Sequence, residues 1–130
     1  MLIKIAEACE KANLFEDAAY YLELAIKKSP DSAYIHNKRG ILYRKMKCFN
    51  FAEDAFNRAL SIDRADPYIY YNLSRLYADW EKWLESKTAA QKALDILPDF
   101  KEAVTMYKFA AIKLQAHTPR LRPQFFTGSR

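Results

Sequence analysis

Glycine and proline are scarce: two glycines and five prolines in 130 residues, too few turn-formers for a sheet protein built on hairpins. Only two cysteines occur, Cys9 and Cys48, with no short metal spacing and no histidine cluster beside them. That excludes a disulfide scaffold and a zinc module, and leaves two reduced packing thiols suited to a cytoplasmic chain. No apolar run approaches the roughly 20 residues of a membrane span. The first ten residues lack the basic and then apolar pattern of a secretory signal. The two histidines, His36 and His117, stand apart, and neither a glycine-rich phosphate loop nor a nucleophile elbow is present. The sequence therefore predicts no enzyme: no catalytic residue, no metal and no cofactor. His36 reads as a half-buried packing position, since Leu2 and Tyr70 replace it one repeat away on either side.

What is present is ordinary for a globular chain. Hydrophobic residues make up 51% and charged residues 28%, which argues against disorder and for one domain. The net charge of +5 is uneven. Arg120, Arg122 and Arg130 lie in the last eleven residues, which hold no acid; without them 18 basic residues face 16 acidic ones, or +2. Acids and bases alternate along the rest, as on a solvated face rather than in a nucleic-acid stripe.

The dominant feature is a repeat of 34 residues. Ala25, Ala59 and Ala93 fall in one column, and so do Ile26, Leu60 and Leu94, and Phe15, Phe49 and Trp83. Ala6, Gly40 and Ser74 form a column of small residues; Ala18, Ala52 and Ser86 form another. Cys9, Tyr43 and Tyr77 share a third. Within each unit apolar residues recur three and four apart, as in Phe49, Ala52, Phe56, Ala59 and Leu60, which predicts helices. The predicted pairs are Met1 to Ala12 with Phe15 to Lys28, Tyr34 to Met46 with Phe49 to Ile62, and Tyr68 to Trp80 with Trp83 to Ile96. Short connections make successive helices antiparallel. Asp31, Asp66 and Asp99 stand where a carboxylate can cap a helix; Glu16-Asp17 and Glu53-Asp54 open second helices, where negative charge is favourable. Gly40 and Ala52 are expected to face each other across a hairpin. A helix-interior glycine costs about 1 kcal/mol against alanine, so close approach accounts for it.

On Gly40, Tyr43, Ala52, Phe56 and Ala59 the chain resembles the tetratricopeptide repeat family, over residues 1 to about 98. The resemblance implies an all-α, right-handed α-solenoid of antiparallel helix pairs, about seven helices in all. Its domain would span 1–116, with repeats at about 1–32, 33–66 and 67–100 and a capping helix at about 100–116. Residues 117–130 read as a basic, disordered tail whose apolar spot, Phe125-Phe126, could serve as a short linear anchor. Two departures concern packing: Arg39 stands where Ile5 and Leu73 are apolar, and Ala90 where Leu22 and Phe56 are large. Met1 falls about two residues into its repeat. The first unit thus reads as clipped, leaving an apolar edge near Leu2, Ile5 and Leu14.

The resemblance also implies that the first helix of each pair lines a concave groove. Carried over by register, the partner-binding positions are Tyr34, Asn37, Lys38, Ile41, Arg44, Lys45, Tyr68, Tyr71, Asn72 and Arg75. They are flanked by Ile3, Lys4, Glu7, Glu10 and Lys11 before, by Asp79 on the third inner helix, and by Thr105, Met106 and Phe109 after. The tyrosines suit an interface, and Asn37 and Asn72 suit an extended peptide backbone. Lys38, Arg44, Lys45 and Arg75 make the middle basic. The implied partner is a protein or peptide, acidic with an apolar anchor, and the implied function a protein-binding scaffold or adaptor module. Ile35 to Lys47 and Tyr70-Tyr71-Asn72-Leu73 are similar to repeats that follow receiver domains in bacterial signalling proteins, which implies a piece of a larger signalling or assembly protein. Family members that clamp a chaperone's C-terminal carboxylate use Lys, Asn, Asn, Lys and Arg; the matching residues here are Ile3, Glu7, Lys38, Tyr68 and Asn72, so that clamp is absent. Two other readings stand beside the adaptor: a homo-oligomer formed through the exposed repeat ends, and nucleic-acid binding through the basic groove and tail.

Overall fold

The computed structural model describes residues 1–117, with the side chain of His117 excepted; the predicted tail, its arginines and Phe125-Phe126 lie outside the described residues. Residues 1–117 form seven α-helices and no strand: α1 (Leu2–Lys11), α2 (Phe15–Lys28), α3 (Ala33–Lys45), α4 (Phe49–Ile62), α5 (Pro67–Asp79), α6 (Trp83–Ile96) and α7 (Lys101–His117). The predicted boundaries hold within a residue or so because the apolar columns and the turns mark them twice over. Consecutive helices pack on each other, and α3 touches α5 and α5 touches α7. This is a solenoid of helix pairs with the odd-numbered helices side by side.

The turns inside the pairs repeat with the same period. Asn13, Lys47 and Glu81 each adopt a positive φ, near 60°. In each turn two backbone amides close back on the helix: Asn13 N–H donates to Glu10 O and Leu14 N–H to Cys9 O, with the same pattern at Lys47 and Cys48 and at Glu81 and Lys82. This is a left-handed C-terminal cap. Asparagine tolerates it better than lysine or glutamate does.

The helix starts differ from the sequence expectation. Ser32, not Asp31, caps α3, its Oγ accepting from Ile35 N–H at 3.3 Å. Asp66 caps α5 as expected, accepting from Tyr68 N–H at 2.9 Å. Ser32 and Asp66 share a repeat position, whereas Asp31 and Asp99 lie one position earlier. Glu16 and Asp17 occupy the first turn of α2. Glu53 lies beyond the first turn of α4 and accepts the Tyr77 hydroxyl of α5 at 2.6 Å. Burial first, and then this carboxylate, push the Tyr77 phenol well above its ordinary range.

The small columns set the spacing inside each pair. In the third pair Ser74 and Ser86 are fully buried and exchange hydrogen bonds, each hydroxyl donating to the other's carbonyl at 2.9 and 2.8 Å. In the second pair Gly40 meets the ring of Phe56: a Cβ on Gly40 would lie 2.6 Å from Cδ1 and Cε1. Sequence spacing set Gly40 opposite Ala52; the close neighbour is Phe56, one turn on. Ala90 occupies the Phe56 position in the third repeat and is fully buried, and Ser74 occupies the Gly40 position there. Residue sizes in the two helices are thus matched, small with large in one repeat and intermediate with small in the next.

Two oddities of the sequence resolve in the core. Arg39 lies 2.8 Å from Glu23 Oε2 of α2, an ion pair whose N–H is not aimed at the oxygen, and it covers the Tyr43 ring. His36 is buried rather than half-buried, at 3% exposure. Its Nε2 pairs with Pro30 O at 2.8 Å, the ring nitrogen donating, so it ties α3 to the turn before it. At the first pair Leu2 and Ile5 are half-buried and Leu14 is 50% exposed. Cys9 packs against the buried cluster of Ala6, Ala18, Leu22, Ala25, Ile35 and Leu42.

Two stability outcomes follow. Gly40→Ala should destabilise by about 1–3 kcal/mol through overpacking, despite the helix propensity of alanine, and Gly40→Ala with Phe56→Leu should recover most of the loss; thermal and urea denaturation of both variants measures this. Glu81→Gly should stabilise by about 1 kcal/mol, because glycine adopts the left-handed turn without the side-chain clash; a fall in melting temperature would contradict the turn geometry.

Candidate binding groove

The groove face is built by helical spacing. Tyr34, Asn37, Lys38, Ile41, Arg44 and Lys45 recur along one side of α3, and Tyr68, Tyr71, Asn72 and Arg75 along one side of α5, because residues three, four and seven apart share a helix face. The contacts between α1, α3 and α5 join residues 27 to 35 positions apart, one repeat with the next.

These contacts form a ladder of polar pairs. Glu7 of α1 receives the Lys38 ammonium at 2.5 Å and the Tyr34 hydroxyl at 3.4 Å. Glu10 receives Lys45 at 2.5 Å. Asp79 of α5 receives Arg44 at 2.8 Å. In the middle Asn72 Nδ2 donates to Asn37 Oδ1 at 3.0 Å. Lys38 also lies over the Tyr34 ring, 5.5 Å from its centroid.

Electrostatics follow from the ladder. Hydrogen bonding and charge from Lys38 hold the Glu7 carboxyl below its ordinary value of 4.5. Burial acts to lower the Lys38 ammonium, but Glu7 and Tyr34 outweigh it and hold it above its ordinary value. Three of the four cations expected to make the groove basic are therefore answered by carboxylates of the neighbouring inner helix. Sequence alone placed Glu7, Glu10 and Asp79 on this face but not in these pairs. Together Glu7, Glu10, Lys11, Lys38 and Lys45 line a cavity of about 300 Å³ at the α1–α3 end. Arg75 is different. It lies over the Tyr71 ring, 5.8 Å from the centroid, and has no carboxylate partner among the described residues.

The α5–α7 end is aromatic. Phe100, 7% exposed, lies under Tyr68 and Tyr71 at centroid distances of 4.9 and 5.2 Å. Tyr34 and Tyr68, one repeat apart, are both more than half exposed. Phe100 was not among the candidates. The trace in the sequence is that it occupies the cap column of Ser32 and Asp66, where an aromatic ring is out of pattern. Ile41 is half-buried and packs against the buried cluster that includes Ala52, Phe56, Ile69 and Leu73. On α7, Thr105 bonds back to the Lys101 carbonyl, Met106 is half-buried, and Phe109 lies edge-on to Trp83 at 5.6 Å. No cluster of metal-ligating side chains occurs among the described residues, and no helix there is long and apolar enough to cross a membrane.

No protein-family model matches the sequence. The human protein O-mannosyl-transferase TMTC3 is 27% identical over 110 residues, a match that covers 84% of this chain and 12% of the length of that relative. The solved first tetratricopeptide-repeat (TPR) domain of human RPAP3 superposes with a TM-score of 0.83 at 19% identity, covering 88% of this chain and 91% of that one. The first TPR of Spaghetti (RPAP3) bound to the HSP90 peptide SRMEEVD gives 0.82 at 19% identity, covering 88% and 90%. The TPR domain of Arabidopsis OM64 gives 0.78 at 20%, covering 90% and 93%. The chain has the tetratricopeptide-repeat fold.

The Glu7–Lys38 pair has a pH signature. A depressed carboxyl contributes stability that is complete above its unfolded-state value and is lost as pH falls through the lower folded-state value. An NMR titration of the Glu7 carboxyl carbon should show a midpoint below 4.5, and Lys38→Met should raise it. An unchanged midpoint in the variant would break the assigned pair.

Proposed function

We propose that this tetratricopeptide-repeat chain is a protein-interaction module, part of a longer scaffold or adaptor protein, that holds a peptide or a helix of its partner in the concave groove. The carrying observation is the Asn37–Asn72 pair on the groove floor. Each amide uses one group on the other and leaves Asn37 Nδ2 and Asn72 Oδ1 for a ligand, one donor and one acceptor, the pair a peptide unit requires. Tyr34 and Tyr68 are exposed on the same faces of α3 and α5 and offer rigid, amphipathic contact area. The RPAP3 TPR structure of the same fold is bound to an HSP90 peptide, which supports peptide binding by this chain. Residues 1–116 are the working unit. The paired ladder favours a protein ligand over a nucleic acid, whose binding would draw on unpaired cations.

The chaperone-tail ligand of that structure is not proposed for this chain. Of the five positions that would clamp its carboxylates, only Lys38 is cationic, and Glu7 already holds it.

Self-association is a second reading with its own observation. Leu42 and Leu76 are fully buried against the preceding helix pair, while the equivalent Ala8 of α1 is exposed. Light scattering that finds a monomer at high concentration would remove it.

Affinity capture from a source lysate tests the groove. A partner held by the wild type should be lost by a folded Tyr71→Ala, Arg75→Glu variant; retention by both moves the site off this face. A labelled SRMEEVD peptide should bind more weakly than about 10 μM, roughly 7 kcal/mol on the affinity scale, and tighter binding would overturn the absence of a clamp.

A further inference from the structure

The two ends of the groove differ in what they leave unsatisfied. At the α1–α3 end Lys38 is occupied by Glu7 and Lys45 by Glu10, and Arg44 is held by Asp79 of α5. An acidic ligand there gains little, because each new ion pair displaces an existing one. At the α5–α7 end Arg75 has, among the described residues, the face of Tyr71 and no carboxylate. The nearest carboxylate on its own helix face, Asp79 one turn on, is engaged by Arg44. The same end carries the apolar surface: Tyr68 and Tyr71 rest on Phe100, which is itself buried and fixes both rings from below.

We propose that the groove selects an extended acidic peptide whose carboxylate pairs with Arg75 and whose aromatic or aliphatic side chain lies on the Tyr68–Tyr71–Phe100 shelf. The inference rests on the groove reading given above and places the acidic contact at Arg75 rather than at Lys38, Arg44 or Lys45. Arg75 lies over the Tyr71 ring, its Cζ 5.8 Å from the centroid, so the acidic contact adjoins the shelf. Alternate side chains of an extended chain point to one face, so the acid and the anchor stand two positions apart. Guanidinium suits this role, since its planar fork takes a carboxylate while its face stays on an aromatic ring.

The probe is an array of synthetic nonapeptides in which each position carries each amino acid in turn, read with fluorescently labelled full chain. Wild type should favour Asp or Glu two positions from Phe, Tyr, Leu or Ile. Arg75→Glu should cut binding of the best peptide about tenfold, as the loss of one charge-assisted hydrogen bond does, and should turn the preference at the acidic position to Lys or Arg. Arg75→Lys should retain the acidic preference. Tyr68→Ala should weaken the apolar preference and leave the acidic one. Lys38→Met tests the alternative acidic contact, Lys28→Ala on the outer helix α2 should change neither preference, and circular dichroism confirms that each variant is folded. Peptides that lose binding with Asn72→Ala or Tyr71→Ala, yet show no acidic preference or one that follows Lys38, would overturn the Arg75 assignment and leave the groove reading standing. An array with no selected peptide, or with selected peptides indifferent to every groove variant, would overturn both.

Discussion

Two helices of a pair meet through small side chains, and that close approach governs everything built on it. Where Gly40 admits the Phe56 ring, and where Ser74 and Ser86 satisfy each other, the backbones come near enough for the larger residues alongside to close the core. A pair packed this tightly behaves as a rigid slab. Slabs of equal thickness stack at a fixed offset, which brings α1, α3, α5 and α7 into one row. The concave face is thus a product of packing inside the pairs rather than of any residue on the face itself.

The face carries a second level of order. Polar pairs cross from each inner helix to the next, so the residues nearest a ligand also fasten one repeat to its neighbour. Exposed ion pairs of this type contribute little stability singly, but they decide which charges are available. The fields of Lys38, Lys45 and Arg44 are largely spent inside the molecule, and the groove passes from a neutralised polar end to an aromatic end where Arg75 has no carboxylate partner among the described residues. Counting cations along the sequence gives a basic surface; pairing them in space gives a mostly balanced one.

The architecture was legible because it is periodic. Columns such as Ala25, Ala59 and Ala93 report burial directly, and the helix bounds followed from them within about a residue. The face of α3 and α5 was legible for the same reason. What the sequence could not convey were the contacts made between repeats, where partners sit 24 to 35 positions apart: Glu7 with Lys38, Asp79 with Arg44, Glu53 with Tyr77. Phe100 was hidden because its column belongs to helix caps, and His36 because its partner is a backbone carbonyl. Such features depend on the offset between slabs, which no single repeat encodes.

The matched sizes within each pair bear on how arrays of this kind can be recombined. Gly40 is fitted to Phe56 and Ser74 to Ser86, with Ala90 at the Phe56 position of that pair, so the second helix of one unit is no substitute for that of another. A chimera joined in the loop after α4 keeps both fits intact. One joined in the turn after α3 would set Gly40 beside Ala90 and leave a void, or Ser74 beside Phe56 and force a collision. The unit of inheritance in this chain is therefore the whole hairpin, and crossovers that respect it should fold where crossovers at its turn do not.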